Sequence, residues 1–184
     1  MELETKRLCL RPFRTDDAAA LYAIASDGRV ADPAGFLPHT SEAYSLQIIR
    51  DVLSRPEVFA IELKADGRLA GCAGLTMPGD SFLDIHEGEA ELGYWTAPWA
   101  WGRGIAAEAA ECVVRCGFER WGLETIWCAW FDGNSASARV QEKCGFSYQY
   151  TMEDLWWIPT NDIRTEHVSS LTREAFEKNE RNKS

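Results

Sequence analysis

Hydrophobic residues near the start of the chain recur with two different periods, and the change between them predicts where a strand gives way to a helix. Residues 5–13 alternate around Leu8 and Leu10, which is typical of a strand. The Thr-Asp-Asp sequence that follows favours a helix at about 15–26, with Thr15 as its cap.

Two more segments complete this part of the chain. Residues 26–40 are punctuated by Gly and Pro and predict a loop that is longer than a simple connection needs. A second helix at about 41–54 places Tyr44, Ile48 and Val52 on one face.

The middle of the chain predicts a hairpin and then a strand–loop–helix unit. The stretch VFAIELKADGRLAGCAGL has Asp66-Gly67 between two apolar strands. A strand at 89–96 leads through a glycine-bearing loop into a helix with a clean 3.6-residue period. The inward positions of that helix are Ile105, Ala109, Val113 and Cys116.

The last third of the chain predicts a strand, a helix and a final strand pair. A strand at 125–131 precedes NSASARVQEKC, a helix that ends at Gly145. FSYQYTM and RTEHVSSL are expected to pair through the connection EDLWWIPTND, and a short terminal helix follows.

The order of elements, β-α-α-β-β-β-α-β-α-β-β, indicates the α/β class. The helix between the strands at 89–96 and 125–131 implies a crossover, so these two strands are expected to be parallel, with helices packed on the sheet. A length of 184 residues predicts one domain, residues 1–184.

The chain is acidic, and this limits the classes of molecule that are expected to bind it. Its net charge is −10 and it has no block of five like charges, so a nucleic-acid partner is not expected. A cationic substrate would be attracted, although the same charge also serves solubility alone.

Neither a membrane segment nor a metal site is predicted. The N-terminus is charged from its second residue and no run of about 18 apolar residues occurs, so we expect no membrane partner and a cytoplasmic protein. The six cysteines lack a Cys-x-x-Cys motif, which favours reduced thiols and no metal.

Two glycines in PWAWGRGIAAEA, residues 98–109, stand between a strand and a helix. The free N–H groups and positive dipole end of a helix N-terminus bind phosphate, and glycines let it approach closely. Read as G-x-G-x-x-A, with Glu124 downstream, the loop fits a dinucleotide site. About a hundred residues precede it, however, and a P-loop is excluded because G-K-[ST] is absent.

Read instead as [QR]-x-x-G-x-[GA], ending on Gly104 and Ala106, the loop resembles the acetyl-CoA loop of the GNAT superfamily of N-acetyltransferases. ELGYWTAPWAWGRGIAAEA, NSASARVQEKCGF, LETKRLCLRPFRTDD and SSLTREAF together resemble its RimJ/RimL-type branch, which acetylates amines such as protein N-termini. Trp101 departs from the pattern, since Gln or Arg is usual there.

The resemblance implies a mixed, mostly antiparallel sheet of about six or seven strands, with a splayed parallel pair (strands near 89–96 and 125–131) and helices on both faces. It implies acetyl-CoA as acetyl donor, held by the pyrophosphate loop and helix at about 98–119. The implied donor-binding residues are Tyr94, Trp95, Thr96, Trp101, Gly102, Arg103, Gly104, Ile105, Ala106, Asn134 and Ser137. An amide N–H near Trp95 is expected to face the thioester carbonyl.

Acetyl transfer to an amine needs a route for the amine's proton. Glu91 matches a position where many relatives carry an acid and is the candidate base or relay, with Glu89 a weaker alternative on the same strand face. Many members carry a Tyr where this chain has Gln141, so Ser137 is the candidate proton donor. Asn134 is expected to contact the donor, although Asn at a helix N-cap often serves capping alone. We expect direct attack in a ternary complex.

The acceptor is expected between the loop at about 27–40 and EDLWWIPTND. Its candidate contacts are Phe36, His39, Glu91, Glu153, Trp156 and Trp157. The favoured acceptor is a protein or peptide N-terminal amine. The alternatives are a small amine, such as a polyamine, amino acid or aminoglycoside, and an acetyl-CoA-binding module without catalysis; a monomer or homodimer is expected.

Overall fold

The computed structural model describes residues 1–183 as one eight-stranded sheet with helices packed on it. The strands are β1 (Leu3–Glu4), β2 (Leu8–Arg11), β3 (Val58–Leu63), β4 (Leu69–Thr76), β5 (Glu89–Thr96), β6 (Thr125–Phe131), β7 (Ser147–Trp157) and β8 (Asp162–Thr172). The α-helices are α1 (Ala18–Ala25), α2 (Gly28–Ala31), α3 (Glu42–Ile48), α4 (Ile105–Glu119), α5 (Ser135–Cys144) and α6 (Arg173–Lys183). None of the helices in this part of the chain is long and apolar enough to cross a membrane.

The sheet order is β1-β2-β3-β4-β5-β6-β8-β7, and every neighbouring pair is antiparallel except β5 and β6. The predicted α/β class, mostly antiparallel sheet and single parallel pair are confirmed. A doubly wound parallel sheet is thereby excluded, and with it the dinucleotide alternative for the glycine loop. The strand beyond the predicted number is β1, which precedes the predicted strand at 5–13 and pairs with it. A turn in which Thr5 N–H donates to the Leu8 carbonyl joins the two, so the predicted strand begins only at Leu8.

The parallel strands β5 and β6 separate soon after they meet. They pair at Glu89–Thr125, Ala90–Ile126 and Glu91–Trp127, while β5 stays paired with β4 up to Thr96. This is the expected splay, and it leaves one edge of β5 open beyond Glu91.

Helices cover both faces of the sheet, as alternation along the strands requires. On one face Phe59 and Ile61 pack with α4 in the larger core, whereas on the other Ala60 packs with α1. The four inward positions predicted for α4 are all buried: Ile105, Ala109, Val113 and Cys116.

The first helix begins differently from its prediction. Thr15 makes no capping bond; instead Asp17, at the end of a 3₁₀ turn (Thr15–Asp17), accepts from the backbone N–H of Arg14 at 2.8 Å. Asp17 also accepts two bonds from the buried Arg11, at 2.7 and 2.8 Å. Burial favours a raised pKa for Asp17, but the hydrogen bonds and charge of these arginines outweigh it and lower that pKa.

Two other predictions need correction. The second helix is α-helical only to Ile48 and continues as a π-helical turn, Ile49–Leu53. Its residues Tyr44 and Val52 do not pack in the core; they border a cleft and are exposed. Strands β7 and β8 extend through most of the predicted connection between them. The turn between them is therefore only residues 158–161.

Candidate active site

A cleft of about 1110 Å³ opens where β5 and β6 separate and reaches both faces of the sheet. On one face it is bordered by the N-terminal ends of α4 and α5, and on the other by residues of the α2–α3 region and Trp157. We call these the donor half and the acceptor half.

The donor half contains the glycine loop. Gly102 and Gly104 have φ of +71° and +74°, a left-handed backbone that favours glycine. A Cβ atom at Gly102 would meet nothing within 4 Å, and one at Gly104 only the Arg7 side chain, at 3.5 Å. The first bond of α4 runs from Glu108 N–H to the Gly104 carbonyl, so the preceding amides have no acceptor inside the helix. The predicted anion cradle is thus physically open.

One face of α5 completes the donor half. Its cleft residues follow helical spacing: Asn134, Ala136, Ser137, Arg139, Val140 and Lys143. Sequence reasoning missed Arg139 and Lys143, although their four-residue spacing on the helix that contains Ser137 was the available signal. Together with the α4 dipole they make this half electropositive.

Arg103 and Trp101 hold the loop in place from either side. The Arg103 carbonyl accepts from the Arg7 side chain at 2.8 Å, and the Arg103 side chain does not line the cleft. The Trp101 indole N–H donates to the Thr96 carbonyl at 2.9 Å. The unusual Trp101 therefore occupies the backbone carbonyl of Thr96, a residue that the resemblance implies for donor binding.

The open edge of β5 presents alternate backbone groups. The Leu92 carbonyl accepts from the Cys128 thiol on β6 at 3.2 Å, whereas Ala97 N–H bonds toward β4. Because backbone groups alternate along a strand, the N–H of Tyr94 points into the gap between the separated strands β5 and β6, and that of Trp95 points toward β4. The amide that fits the expectation of an N–H near Trp95 is therefore that of Tyr94.

A cluster of hydroxyl groups lies between β5 and α5. Tyr94 Oη is 2.9 Å from Ser137 Oγ, and Gln141 Nε2 donates to the same Oγ at 3.3 Å. Gln141 is 2% exposed and its Oε1 accepts from the Ser169 hydroxyl at 2.5 Å. The Asn134 side chain accepts from Ser137 N–H at 3.2 Å, which is the N-cap bond. Burial raises the pKa of Tyr94, so its phenol stays protonated at neutral pH.

Two carboxyl groups line the cleft near the gap, Glu91 from β5 and Glu166 from β8. Burial raises the pKa of Glu91, although the hydrogen bond from the Ser81 hydroxyl, 2.6 Å long, opposes the rise. Burial, and then the charge of Glu91, raise the pKa of Glu166 to about 7. Glu89 instead accepts from the His86 backbone N–H at 2.9 Å and does not line the cleft.

Sequence reasoning missed Glu166, which is 6% exposed. The available signal was its phase in RTEHVSSL, where it shares a strand face with the buried Val168. A carboxyl group in phase with an apolar face is unusual, and its buried position explains its elevated pKa.

The acceptor half contains Phe36, His39 and Trp157 of the predicted set, but not Glu153 or Trp156. Trp156 is 54% exposed because neighbouring strand residues point to opposite faces, so Trp157 alone of the tryptophan pair turns inward. His39 bonds the Ser45 hydroxyl at 2.8 Å, and burial lowers the pKa of its ring, which is therefore neutral at pH 7.

The loop at 27–40 is bound directly to the β7–β8 hairpin. The Trp157 indole donates to the Gly35 carbonyl at 2.7 Å, and Arg164 bonds both the carbonyl and the carboxylate of Asp32, at 2.7 and 2.9 Å. A side chain on Gly35 would come within 2.9 Å of the Trp157 ring. The two walls therefore touch, without a groove between them at this point.

Comparisons with known proteins agree with this geometry. A family model described as an acetyltransferase (GNAT) domain matches residues 7–147. The uncharacterized N-acetyltransferase YoaA of Bacillus subtilis strain 168 is 32% identical over 149 residues, which are 78% of this chain and 81% of that protein. The uncharacterized N-acetyltransferase p20 of Bacillus licheniformis is 27% identical over 157 residues, 83% and 85% of the two chains. A GNAT-family acetyltransferase structure from Bacillus anthracis superposes with a TM-score of 0.83 at 23% identity, over 95% of this chain and 99% of that one.

Proposed function

Because the chain belongs to the GNAT family of acetyltransferases, we propose that it acetylates a small primary amine by direct attack on acetyl-CoA, with Glu166 as general base. The observation that carries the proposal is the pairing of an electropositive, glycine-lined donor half with a carboxyl group whose pKa is raised to about 7 in the same cleft. The RimJ/RimL-type branch stays a prediction.

GNAT acetyltransferases use acetyl-CoA as the donor, and the donor half fits it. The open space beside Gly102 and Gly104, the free amides of the first turn of α4, and the cations Arg139 and Lys143 suit a pyrophosphate. The gap-facing N–H of Tyr94 suits a carbonyl that gains negative charge. Acetyl-CoA supplies the activated acetyl group; the residues of this chain bind it and move protons.

The carboxyl pair supports a route for the amine's proton. An ammonium has no free electron pair, so it must lose a proton before its nitrogen can bond the acetyl carbon. Glu166, half ionised at neutral pH, accepts that proton. Glu91, expected from the sequence to be the base, instead keeps the pKa of Glu166 high through its charge.

The hydroxyl cluster supports the return of a proton to the sulfur. As the carbon–sulfur bond breaks, the departing thiolate needs a proton, and Ser137 supplies one from the first turn of α5. Ser137 regains its proton from water in the open cleft. The Tyr94 phenol, which burial keeps protonated, holds Ser137 Oγ in place through their 2.9 Å hydrogen bond.

Direct attack is favoured over an acetylated thiol. Cys128 lines the cleft, but it is buried, its thiol bonds the Leu92 carbonyl at 3.2 Å, and its pKa is raised by burial. A protonated thiol is a weak nucleophile. Mass spectrometry after mixing with acetyl-CoA alone should therefore find no acetyl adduct on Cys128.

The touching walls favour a small acceptor over the protein N-terminus expected from the sequence. The sequence places a peptide acceptor between the 27–40 loop and the β7–β8 hairpin, and the contacts from Trp157 and Arg164 to the loop close that route. The test is release of CoA with small primary amines and with tetrapeptides as acceptors. We expect turnover of small amines only. Acetylation confined to the peptides would overturn the assignment, and binding of acetyl-CoA without turnover of any acceptor would favour the non-catalytic module.

A variant sharpens this test. Trp157→Phe keeps the aromatic ring but removes the indole N–H that bonds Gly35, so it loosens the closed route. We expect a higher peptide-to-small-amine activity ratio than in the unmodified protein. Trp156→Phe, at the exposed neighbouring position, serves as the matched control and should leave the ratio unchanged.

A further inference from the structure

Four large apolar side chains form an exposed rim at the mouth of the acceptor half. Leu37, Tyr44, Val52 and Phe82 are 58%, 36%, 48% and 57% exposed, and all four line the cleft. They come from three separate segments of the chain, so their convergence is a feature of the fold. Exposed apolar surface that converges on a cleft marks a ligand site.

The charged groups beside this rim are already paired. Arg55 forms an ion pair with Asp80, and Arg29 forms one with Asp27 at 2.6 Å. Both arginines and Asp80 line the cleft. The carboxylates of these two ion pairs are therefore not free to bind a ligand at the mouth.

Unpaired negative charge lies deeper in the cleft. Within residues 1–183, neither Glu91 nor Glu166 takes part in an ion pair with the protein. The cleft can thus bind one cationic group at its inner end and an apolar group at its mouth.

We propose that the acceptor is a monoamine joined by a short chain to an apolar or aromatic group, and that polyamines are excluded. This inference rests on the proposed acetylation of a small amine. The amine nitrogen lies at Glu166, and the apolar group packs against Tyr44, Val52 and Phe82. The second ammonium of a diamine would lie on this apolar rim, where the carboxylate of Asp80 is already paired with Arg55.

The test compares hexylamine with 1,5-diaminopentane, two chains of equal length that differ by a methyl group in place of an ammonium. With acetyl-CoA saturating, we expect kcat/KM for hexylamine to exceed that for the diamine by at least about ten-fold. An equal or reversed preference, with turnover present, would overturn the inference and leave the proposed function standing. No turnover of any amine, small or peptide, would overturn the proposed function and this inference with it.

A pair of variants tests the mechanism of the preference. Val52→Asp adds a carboxylate to the rim, whereas Val52→Asn adds polarity of the same shape without charge. We expect Val52→Asp to raise the diamine-to-hexylamine ratio of kcat/KM by about ten-fold relative to Val52→Asn. Equal ratios in the two variants would show that the rim does not contact the far end of the acceptor, which refutes the proposal. Acetyl-CoA affinity should be unchanged in both, because Val52 lies in the acceptor half.

Discussion

Replacing Glu166 by glutamine removes the proposed base while keeping the size of the side chain. General base catalysis contributes about 10²–10⁴-fold to a rate, so we expect kcat of Glu166→Gln to fall by at least about 100-fold. In the unmodified protein the pKa of about 7 means that Glu166 is half ionised at pH 7 and only about one-tenth ionised at pH 6. The ionised fraction, and kcat/KM for the amine with it, should therefore fall about five-fold from pH 7 to pH 6 and about ten-fold for each further unit.

The assay is release of CoA at saturating acetyl-CoA and low amine concentration between pH 5 and 9, because kcat/KM reports the pKa of the enzyme before the amine binds. Protonation of the free amine lowers kcat/KM equally in every variant. Glu91→Gln should move the acidic limb of the kcat/KM profile to lower pH, because the negative charge of Glu91 contributes to the raised pKa of Glu166. Glu153→Gln, an exposed residue outside the cleft, is the control and should keep the original profile. An acidic limb near pH 7 that survives in Glu166→Gln would refute the assignment of the base.

A second prediction for Glu166→Gln concerns the stability of the fold and does not depend on the catalytic role of this residue. The native state binds the Glu166 proton more tightly than the unfolded state does, so the free energy of unfolding falls as pH rises from about 4.5 to about 7. The rise in pKa corresponds to about 3 kcal/mol that the ionised carboxylate costs above pH 7. Glu166→Gln should recover part of this, and its urea midpoint at pH 8 should exceed that of Glu153→Gln. Unchanged stability at pH 8 would contradict the raised pKa.

Three further changes test other parts of the molecule. Gly104→Val should weaken acetyl-CoA binding at least about ten-fold by calorimetry, whereas Gly122→Val, with a similar left-handed φ of +70° and open surroundings, should share the strain but keep the affinity. Ser137→Ala should lower kcat by about ten-fold or more with acetyl-CoA affinity unchanged, and a normal kcat would reject it as proton donor. Asp17→Ala leaves a buried arginine without its main partner and should lower the free energy of unfolding in urea by about 3 kcal/mol. The exposed Asp16→Ala should change it little, and equal effects would show that the pair is not decisive.

The order of elements and the donor half could be predicted because their signals are local. The period of α4, the Asp66-Gly67 turn and the two glycines before Ile105 each fix structure within a few residues. Because a helix between two strands of one sheet implies a crossover connection, β5 and β6 could be predicted to be parallel without knowledge of long-range contacts.

The acceptor half could not be predicted to the same depth because it depends on register between distant strands. Strand β7 is irregular where Asp154 has φ of +54°, and this fixes which member of the tryptophan pair faces inward. Glu166 reaches the cleft only because β8 lies between β6 and β7, a strand order that the spacing of elements does not encode. The sequence indicates which face of a strand a side chain lies on, but it does not indicate which strand lies beside it in the sheet.

The single parallel pair explains why the two halves meet where they do. A parallel connection requires a return crossover, and α4 makes it, so the N-terminal end of α4 lies beside the end of β5 where β5 leaves β6. One topological requirement therefore brings the open backbone edge, the positive helix end and the passage between the sheet faces to one place. An antiparallel neighbour, joined by a tight hairpin, would keep the edge of β5 paired and would supply no helix end. The donor half is thus a consequence of the crossover, whereas the acceptor half depends on the residues that β8 and the 27–40 loop bring to the other face.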